Sequence, residues 1–150
     1  MKIQPYIFPK NCEQAFRFYE EVLGGKIVEL HHFKDMPPQE GHESTGGEGC
    51  GPSPEQLAAM GDKVMHVNLE IDGQSIMGSD GMEDGTVQGF KINLNFTEVE
   101  QGKKVFEALS RGGKVEMPFQ ETFWSKGFAM FDDRFGVSWM INVDDGSKRP

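Results

Sequence analysis

Phe18–Leu30 reads FYEEVLGGKIVEL, and Val105–Met117 reads VFEALSRGGKVEM. Laid side by side, each ends an apolar helical stripe, passes through a Gly-Gly pair and a lysine, and enters a strand-like run. Glycine closes a helix because it takes the left-handed conformation without a Cβ clash. The likeness extends outward in both directions. Upstream of each stretch lies an apolar strand and then a helix start; downstream lie two further strands joined by a hairpin. The chain therefore reads as one βαβββ unit written twice, a duplicated supersecondary element.

In the first copy Ile3 to Phe8 alternates, with Ile3, Pro5 and Ile7 on one face and Gln4, Tyr6 and Phe8 on the other. Pro5 removes a ladder donor, which places this strand at an edge or interrupts it. Asn11 is in position to cap a helix, with Gln14 completing a capping box. Cys12, Ala15, Phe16, Tyr19, Val22 and Leu23 then recur at helical spacing. Residues 34–62 break the pattern with Pro37-Pro38, Gly41, Gly46-Gly47, Gly49 and Gly51-Pro52, a long arm with one short helix from about Ser53 to Met60. Val64 to Ile71 and Ser75 to Ser79 are strands, and Asp72-Gly73 is a two-residue hairpin signal.

A glycine-punctuated linker, with Gly78, Gly81, Gly85 and Gly89, leads to the second copy. Phe90 to Phe96 is its first strand. Thr97-Glu98-Val99-Glu100 has the Thr-x-x-Glu form of a capping box, and Gly102, Val105, Phe106 and Leu109 face inward behind it. Lys114 to Phe119 is strand-like. Gly127 to Phe131 and Val137 to Val143 form the closing hairpin around Asp132-Asp133-Arg134-Phe135-Gly136. In its last strand Trp139, Ile141 and Val143 make the packed face, opposite Ser138, Met140 and Asn142.

At 150 residues the sequence suits a single domain: module one at about 1–82 with the 34–62 arm, and module two at about 88–144. The formal charge of −9 repels phosphate backbones and anionic membranes. No basic patch offsets it, and no apolar run approaches the roughly 20 residues of a bilayer span. Nucleic-acid and membrane partners are therefore excluded as expectations. Met1 runs straight into a strand, without the pattern of a signal peptide. Cys12 and Cys50 stand far apart in no metal-type or redox spacing. A reduced, cytoplasmic setting is expected, with no disulfide between them.

One sheet face in each module covers a helix, which leaves the other face to be explained. By alternation that face carries Gln4, Tyr6 and Phe8, then His66, Asn68 and Glu70, then Lys91, Asn93 and Asn95, and finally Met140 and Asn142. The mixture is too rich in amides for a dry core and too aromatic for a plain solvent face. It fits a concave cavity with a few convergent polar groups.

The stretches PYIFPKNCEQAFRFYEEVLGG, KVMHVNLEIDGQSIMGSD, QETFWSKGF and GFAMFDDRFGVSWMIN, with the duplicated βαβββ pattern, resemble the vicinal oxygen chelate superfamily. That superfamily includes glyoxalase I, bleomycin and fosfomycin resistance proteins and extradiol dioxygenases, and within it the chain is similar to the PhnB-like branch. The resemblance implies an α+β fold of two tandem βαβββ modules, each a curved open mixed sheet cupping a site, and a homodimer. In catalytic members His, Glu or Gln from both modules hold a divalent metal. Carried over, those positions fall on Gln4, near Lys91, on Met140 and around Met77 to Ser79. A protonated lysine has no lone pair, and a thioether is a poor ligand for Zn²⁺, Ni²⁺, Fe²⁺ or Mn²⁺. No cofactor is therefore expected. Nor does any glycine-rich strand-to-helix turn suit the nucleotide-type cofactor of a methyltransferase label attached to this branch.

The expectation is a small-molecule-binding protein without the family metal. Its candidate ligand-binding residues are Gln4, Tyr6, His66, Lys91, Asn93, Trp124, Met140 and Asn142. The alternative is a metal-dependent lyase, isomerase or dioxygenase-type enzyme with a relocated site built on Gln4, His66 and a carboxylate. His66 reads as a hydrogen-bonded, half-buried histidine, or as a ligand or base if Asp80 or Glu121 joins it. His31 and His32 are adjacent on a strand and cannot chelate together, although His42 could join one of them. Asp80 reads as a turn cap, Asp132-Asp133 as turn chemistry, and Cys12 as packing. Trp124 reads as either a lid or core. A third reading has the arm filling the cavity.

Overall fold

The structure is a computed structural model, and it describes residues 1–35, 54–81 and 89–144. The elements run β1 (Tyr6–Ile7), α1 (Cys12–Leu23), β2 (Lys26–His32), a 3₁₀ turn (Phe33–Asp35), α2 (Pro54–Ala59), β3 (Val64–Ile71) and β4 (Gln74–Gly78). The second copy is β5 (Ile92–Phe96), α3 (Val99–Ser110), β6 (Lys114–Gln120), β7 (Gly127–Asp132) and β8 (Ser138–Val143). Apart from the added α2, this is βαβββ twice. The sheets are ordered β1-β4-β3-β2 and β5-β8-β7-β6. In each, the first strand lies parallel to the last and the remaining pairs are antiparallel. Cys50, His42 and most of the expected arm lie outside the described residues, as does most of the inter-module linker.

The repeated Gly-Gly pair has a physical reason. Gly24 and Gly112 have φ of 71° and 76°, the left-handed exit from each helix. Gly25 and Gly113 then bring the chain flush against the neighbouring strand. A Cβ on Gly25 would sit 2.6 Å from the Glu70 carbonyl oxygen, and one on Gly113 would sit 2.0 Å from that of Asp132. No side chain larger than hydrogen fits either place.

Helix α1 buries Cys12, Ala15, Phe16 and Tyr19, the i, i+3, i+4, i+7 stripe expected of it. Helix α3 lies close to β8, because Gly102 has no side chain to meet Val143. Trp139, Ile141 and Val143 are fully buried on the packed face of β8, as their alternation predicts. The hairpin turns also follow their sequence. Asp72-Gly73 both take positive φ, and Gly136 does so at 83° in the closing turn.

Neither predicted capping box forms. Asn11 occupies the N-cap position of α1 with φ of 49°, and Glu98, not Thr97, occupies that of α3; neither makes a side-chain cap. The start of α1 is capped from a distance. Asp80 accepts hydrogen bonds from the Cys12 backbone N–H at 3.1 Å and the Val64 N–H at 2.8 Å. The predicted turn cap thus serves a helix 68 residues upstream. Phe90 and Lys91 precede β5, and β1 is only two residues long, cut short at Pro5 as expected.

Asp133 is buried at 3% exposure and accepts four hydrogen bonds. Its Oδ1 accepts from the Phe135 and Val137 backbone N–H groups at 2.8 and 3.0 Å, which is the predicted turn chemistry. Its Oδ2 accepts from the Trp139 indole at 2.8 Å and from the Tyr19 hydroxyl at 2.5 Å. One carboxylate therefore shapes the last turn and ties it to α1 of the first module. Burial and the facing carboxylate raise the Tyr19 phenol far above its ordinary pKa, so it stays a donor. Phe18, Phe135 and Trp139 pack around this link, and the Arg134 guanidinium stacks over Phe18 at 4.3 Å.

Candidate functional site: two open sheet faces and the seam between them

The face of the first sheet turned away from α1 carries Tyr6, Met77, Asn68 and His66, placed side by side by the registers Tyr6–Met77 and Asn68–Met77. The His66 ring lies 5.8 Å from the Tyr6 ring, with its Nδ1 3.4 Å from the hydroxyl, a long contact. Its Nε2 is 3.5 Å from Glu29. Sequence reasoning missed Glu29 and offered Asp80 or Glu121 instead. Asp80 is committed to the two backbone groups described above. Glu29 reaches this face because the β2–β3 register shifts between Ile27 and Glu29. Such a bulge reverses the parity on which the sequence reading depended. Val28, the residue left over at the shift, is 46% exposed. The Asn68 Oδ1 is buried and makes no hydrogen bond.

The corresponding face of the second sheet is built of amides and a lysine. Asn95 pairs with Asn142 and Asn93 with Met140 in the parallel register of β5 and β8. The Asn93 and Asn142 Nδ2 groups both donate to Asn95 Oδ1, at 3.1 and 3.4 Å, and the Asn142 Oδ1 is buried without a partner. Met130 stands opposite Met140, and Phe128 opposite Asn142. Trp124 rests edge-on against Phe128 at 5.3 Å and is 42% exposed. It is not core; it borders the amide cluster.

Lys91 crosses this face. Its Nζ donates to Ser138 Oγ at 2.8 Å and lies 3.1 Å from a Glu116 carboxylate oxygen. Lys91 stands at the β5 edge of the sheet and Glu116 on β6 at the other. Strands lie about 4.8 Å apart, so flat edges of four strands would be roughly 14 Å from one another. Two extended side chains and a curled sheet close that distance, and the ion pair straps the cup.

The two faces meet at a slot of about 80 Å³ lined by Tyr6, Ile7, Phe8, Phe90, Ile92 and residues 136–138. The Lys10 N–H donates to the Phe135 carbonyl at 3.0 Å and holds this seam. Tyr6, Phe8 and Phe90 leave part of their rings in water. Of the expected site residues, Tyr6 and His66 are brought together, as are Asn93, Asn142 and their neighbour Met140. Lys91 and Tyr6 both border the slot region through Ser138, Phe90 and Ile92, and Trp124 lies beside the amides. Gln4 is half-buried ahead of β1.

Two of the transferred metal positions, the one near Lys91 and the one at Met140, carry residues that do not fit a metal. Lys91 presents an ammonium group engaged with a hydroxyl and a carboxylate, and Met140 presents a thioether. Among the described residues no group of three or more His, Cys, Asp or Glu side chains could hold an ion. Cys12 is fully buried, and burial, with Asp80 and Glu13 nearby, pushes its thiol up to about 12, which suppresses the nucleophilic thiolate.

The sequence and its geometry point to one family. A family model for the Glyoxalase/Bleomycin resistance protein/Dioxygenase superfamily matches residues 3–141, and the chain belongs to that superfamily. Protein YjdN of Escherichia coli K12 is 38% identical over 146 residues, 95% of each chain. The crystal structure of PA1353 from Pseudomonas aeruginosa is 32% identical, with a TM-score of 0.78 over 96% of this chain and 98% of its own. The PhnB protein of Bacillus cereus shares the fold, with a TM-score of 0.69 and 22% identity over 96% of this chain and 100% of its own. Among the described residues no helix is long and apolar enough to cross a membrane.

Proposed function

We propose that this chain binds a small molecule in the cup of its second sheet and at the adjoining seam, and does so without the superfamily's metal. The observation that carries the reading is Lys91. Near a position the resemblance assigns to a metal ligand, its ammonium donates to Ser138 and pairs with Glu116. The unpaired Asn142 Oδ1 and the amides around it supply directional hydrogen bonding. Elemental analysis of protein purified without added metal is expected to give a metal content near zero. A content near one transition metal per chain overturns the metal-free part. A thermal-shift screen across neutral, anionic and cationic small molecules is expected to raise the Tm for at least one class. No response from any class overturns the binding part. The homodimer expected from the resemblance belongs to the same proposal, and sedimentation at micromolar concentration tests it.

A second reading, a metal-dependent enzyme with a relocated site, draws on His66 with Glu29 at 3.5 Å. It needs further donors, and the same elemental analysis decides it.

A further inference from the structure

We infer that Glu116 is a built-in stand-in for the ligand, and that the cup takes a small organic carboxylate whose anionic group displaces Glu116 from Lys91. The inference rests on the binding site proposed above and names its ligand class.

Glu116 sits at an irregularity of β6. The β6–β7 register shifts between Val115 and Met117, so Glu116 is the extra residue. A bulge residue is freed from the pleat and its side chain can be re-aimed. The carboxylate is 39% exposed and so can swing into water, whereas Lys91 is 23% exposed and anchored by Ser138. The cation is thus the fixed partner and the anion the movable one. What Glu116 now supplies to Lys91, a carboxylate oxygen 3.1 Å from Nζ, is what an incoming carboxylate would supply. Ser138, hydrogen-bonded to Lys91, also lines the slot that carries Tyr6, Phe8 and Phe90. A ligand whose charge lies on Lys91 therefore has apolar and aromatic surface at hand for its body. A neutral ligand would have to break the Lys91–Glu116 pair with nothing to replace it, or leave it in place.

Benzoate and its neutral isostere benzamide test this, with binding read by heteronuclear NMR titration of the whole protein. Benzoate is expected to shift resonances of Lys91, Ser138 and Tyr6, and benzamide is expected to bind at least about tenfold more weakly. Glu116→Gln removes the internal competitor and should tighten benzoate about two- to fivefold, the scale of a partly exposed ion pair. Lys91→Met keeps the stem, removes the charge and should weaken benzoate at least about tenfold. Glu107→Gln, on the exposed face of α3, carries the same change in net charge and should leave the affinity unchanged. If Lys91→Met unfolds, Glu116→Gln against Glu107→Gln still decides the matter. The inference is overturned if benzoate does not bind the Glu116→Gln protein, if benzamide binds as well as benzoate, or if the two glutamine variants behave alike. In the thermal-shift screen, a response confined to neutral or cationic compounds overturns this inference and leaves the binding reading standing.

Discussion

The third residue after each Gly-Gly pair is Val28 in the first module and Glu116 in the second. Both fall at a shift in strand register, so the bulge is duplicated along with the fold. What it delivers differs. In β2 the extra residue is a valine, 46% exposed, and the shift turns its neighbour Glu29 toward His66. In β6 the extra residue is itself the carboxylate, and it reaches across the sheet to Lys91. The duplicated frame thus specifies where a side chain can be redirected, while the residue placed there specifies the chemistry. One cup became aromatic and imidazole-lined, the other cationic and amide-lined.

How far the modules depend on each other is tested at Asp133. Asp133→Ala leaves Tyr19, Trp139 and two backbone N–H groups without their acceptor, and should cost about 3–5 kcal/mol in urea unfolding, as loss of a buried charged partner does. Asp80, which follows β4 in the first module, accepts from two backbone groups and from neither module's aromatic side chains among the described residues. A loss below about 1 kcal/mol in Asp133→Ala would mean that the modules hold together without this link.

Next come the paired glycines. Gly113→Ala and Gly25→Ala both force a methyl group onto a strand carbonyl, at 2.0 and 2.6 Å before relaxation. Each should cost about 1–3 kcal/mol, with Gly113→Ala the larger. Equal Tm shifts, or the reverse order, would break the ranking drawn from these distances.

Asp80→Ala should cost about 1 kcal/mol, the value of a lost helix cap. Hydrogen exchange should show the loss at the Cys12 and Val64 amides. Protection unchanged at both would mean that Asp80 caps nothing.

The smallest effect is a pH dependence peculiar to the first module. The His32 Nε2 lies 2.8 Å from Glu13, and this hydrogen bond raises its pKa above 6.5, with Asp35 adding to it. The charged form is favoured in the folded state. The stabilisation is therefore complete below pH 6.5 and is lost as the pH rises through the higher folded value. Glu13 is 43% exposed, so the effect should stay below about 1 kcal/mol. In Glu13→Gln the difference in stability between pH 5.5 and pH 8 should shrink; an unchanged difference would assign it to other groups.

The fold was legible because its determinants are local. A helical stripe such as Cys12, Ala15, Phe16 and Tyr19 needs only its own spacing, and the Gly-Gly pair announces both a left-handed exit and a close approach. The caps were not legible, because the acceptor for the Cys12 N–H comes from Asp80, a contact set by tertiary structure rather than by the next turn. The open faces were half legible. Alternation grouped Asn93, Asn95, Met140 and Asn142 correctly, since β5 and β8 pair without a shift. The strands it drew on did not include β2 or β6, whose bulges bring Glu29 and Glu116 to bear, so both residues stayed outside the set. The partners of Lys91, Ser138 and Glu116, are set by tertiary structure and carry no mark in the sequence.

The Tyr19–Asp133 hydrogen bond spans 114 residues and so bears on how the chain is made. During synthesis the first helix emerges long before the carboxylate that satisfies its tyrosine. Until the final hairpin arrives, Tyr19 faces a site not yet built, beside Phe18 and Phe16, and the first module presents apolar surface to its surroundings. Contacts this distant slow folding and leave intermediates prone to association. A chain ending before residue 127 is accordingly expected to bind a hydrophobic dye that the full-length protein excludes. Equal dye binding by the two would show that the first module completes itself without its late partner.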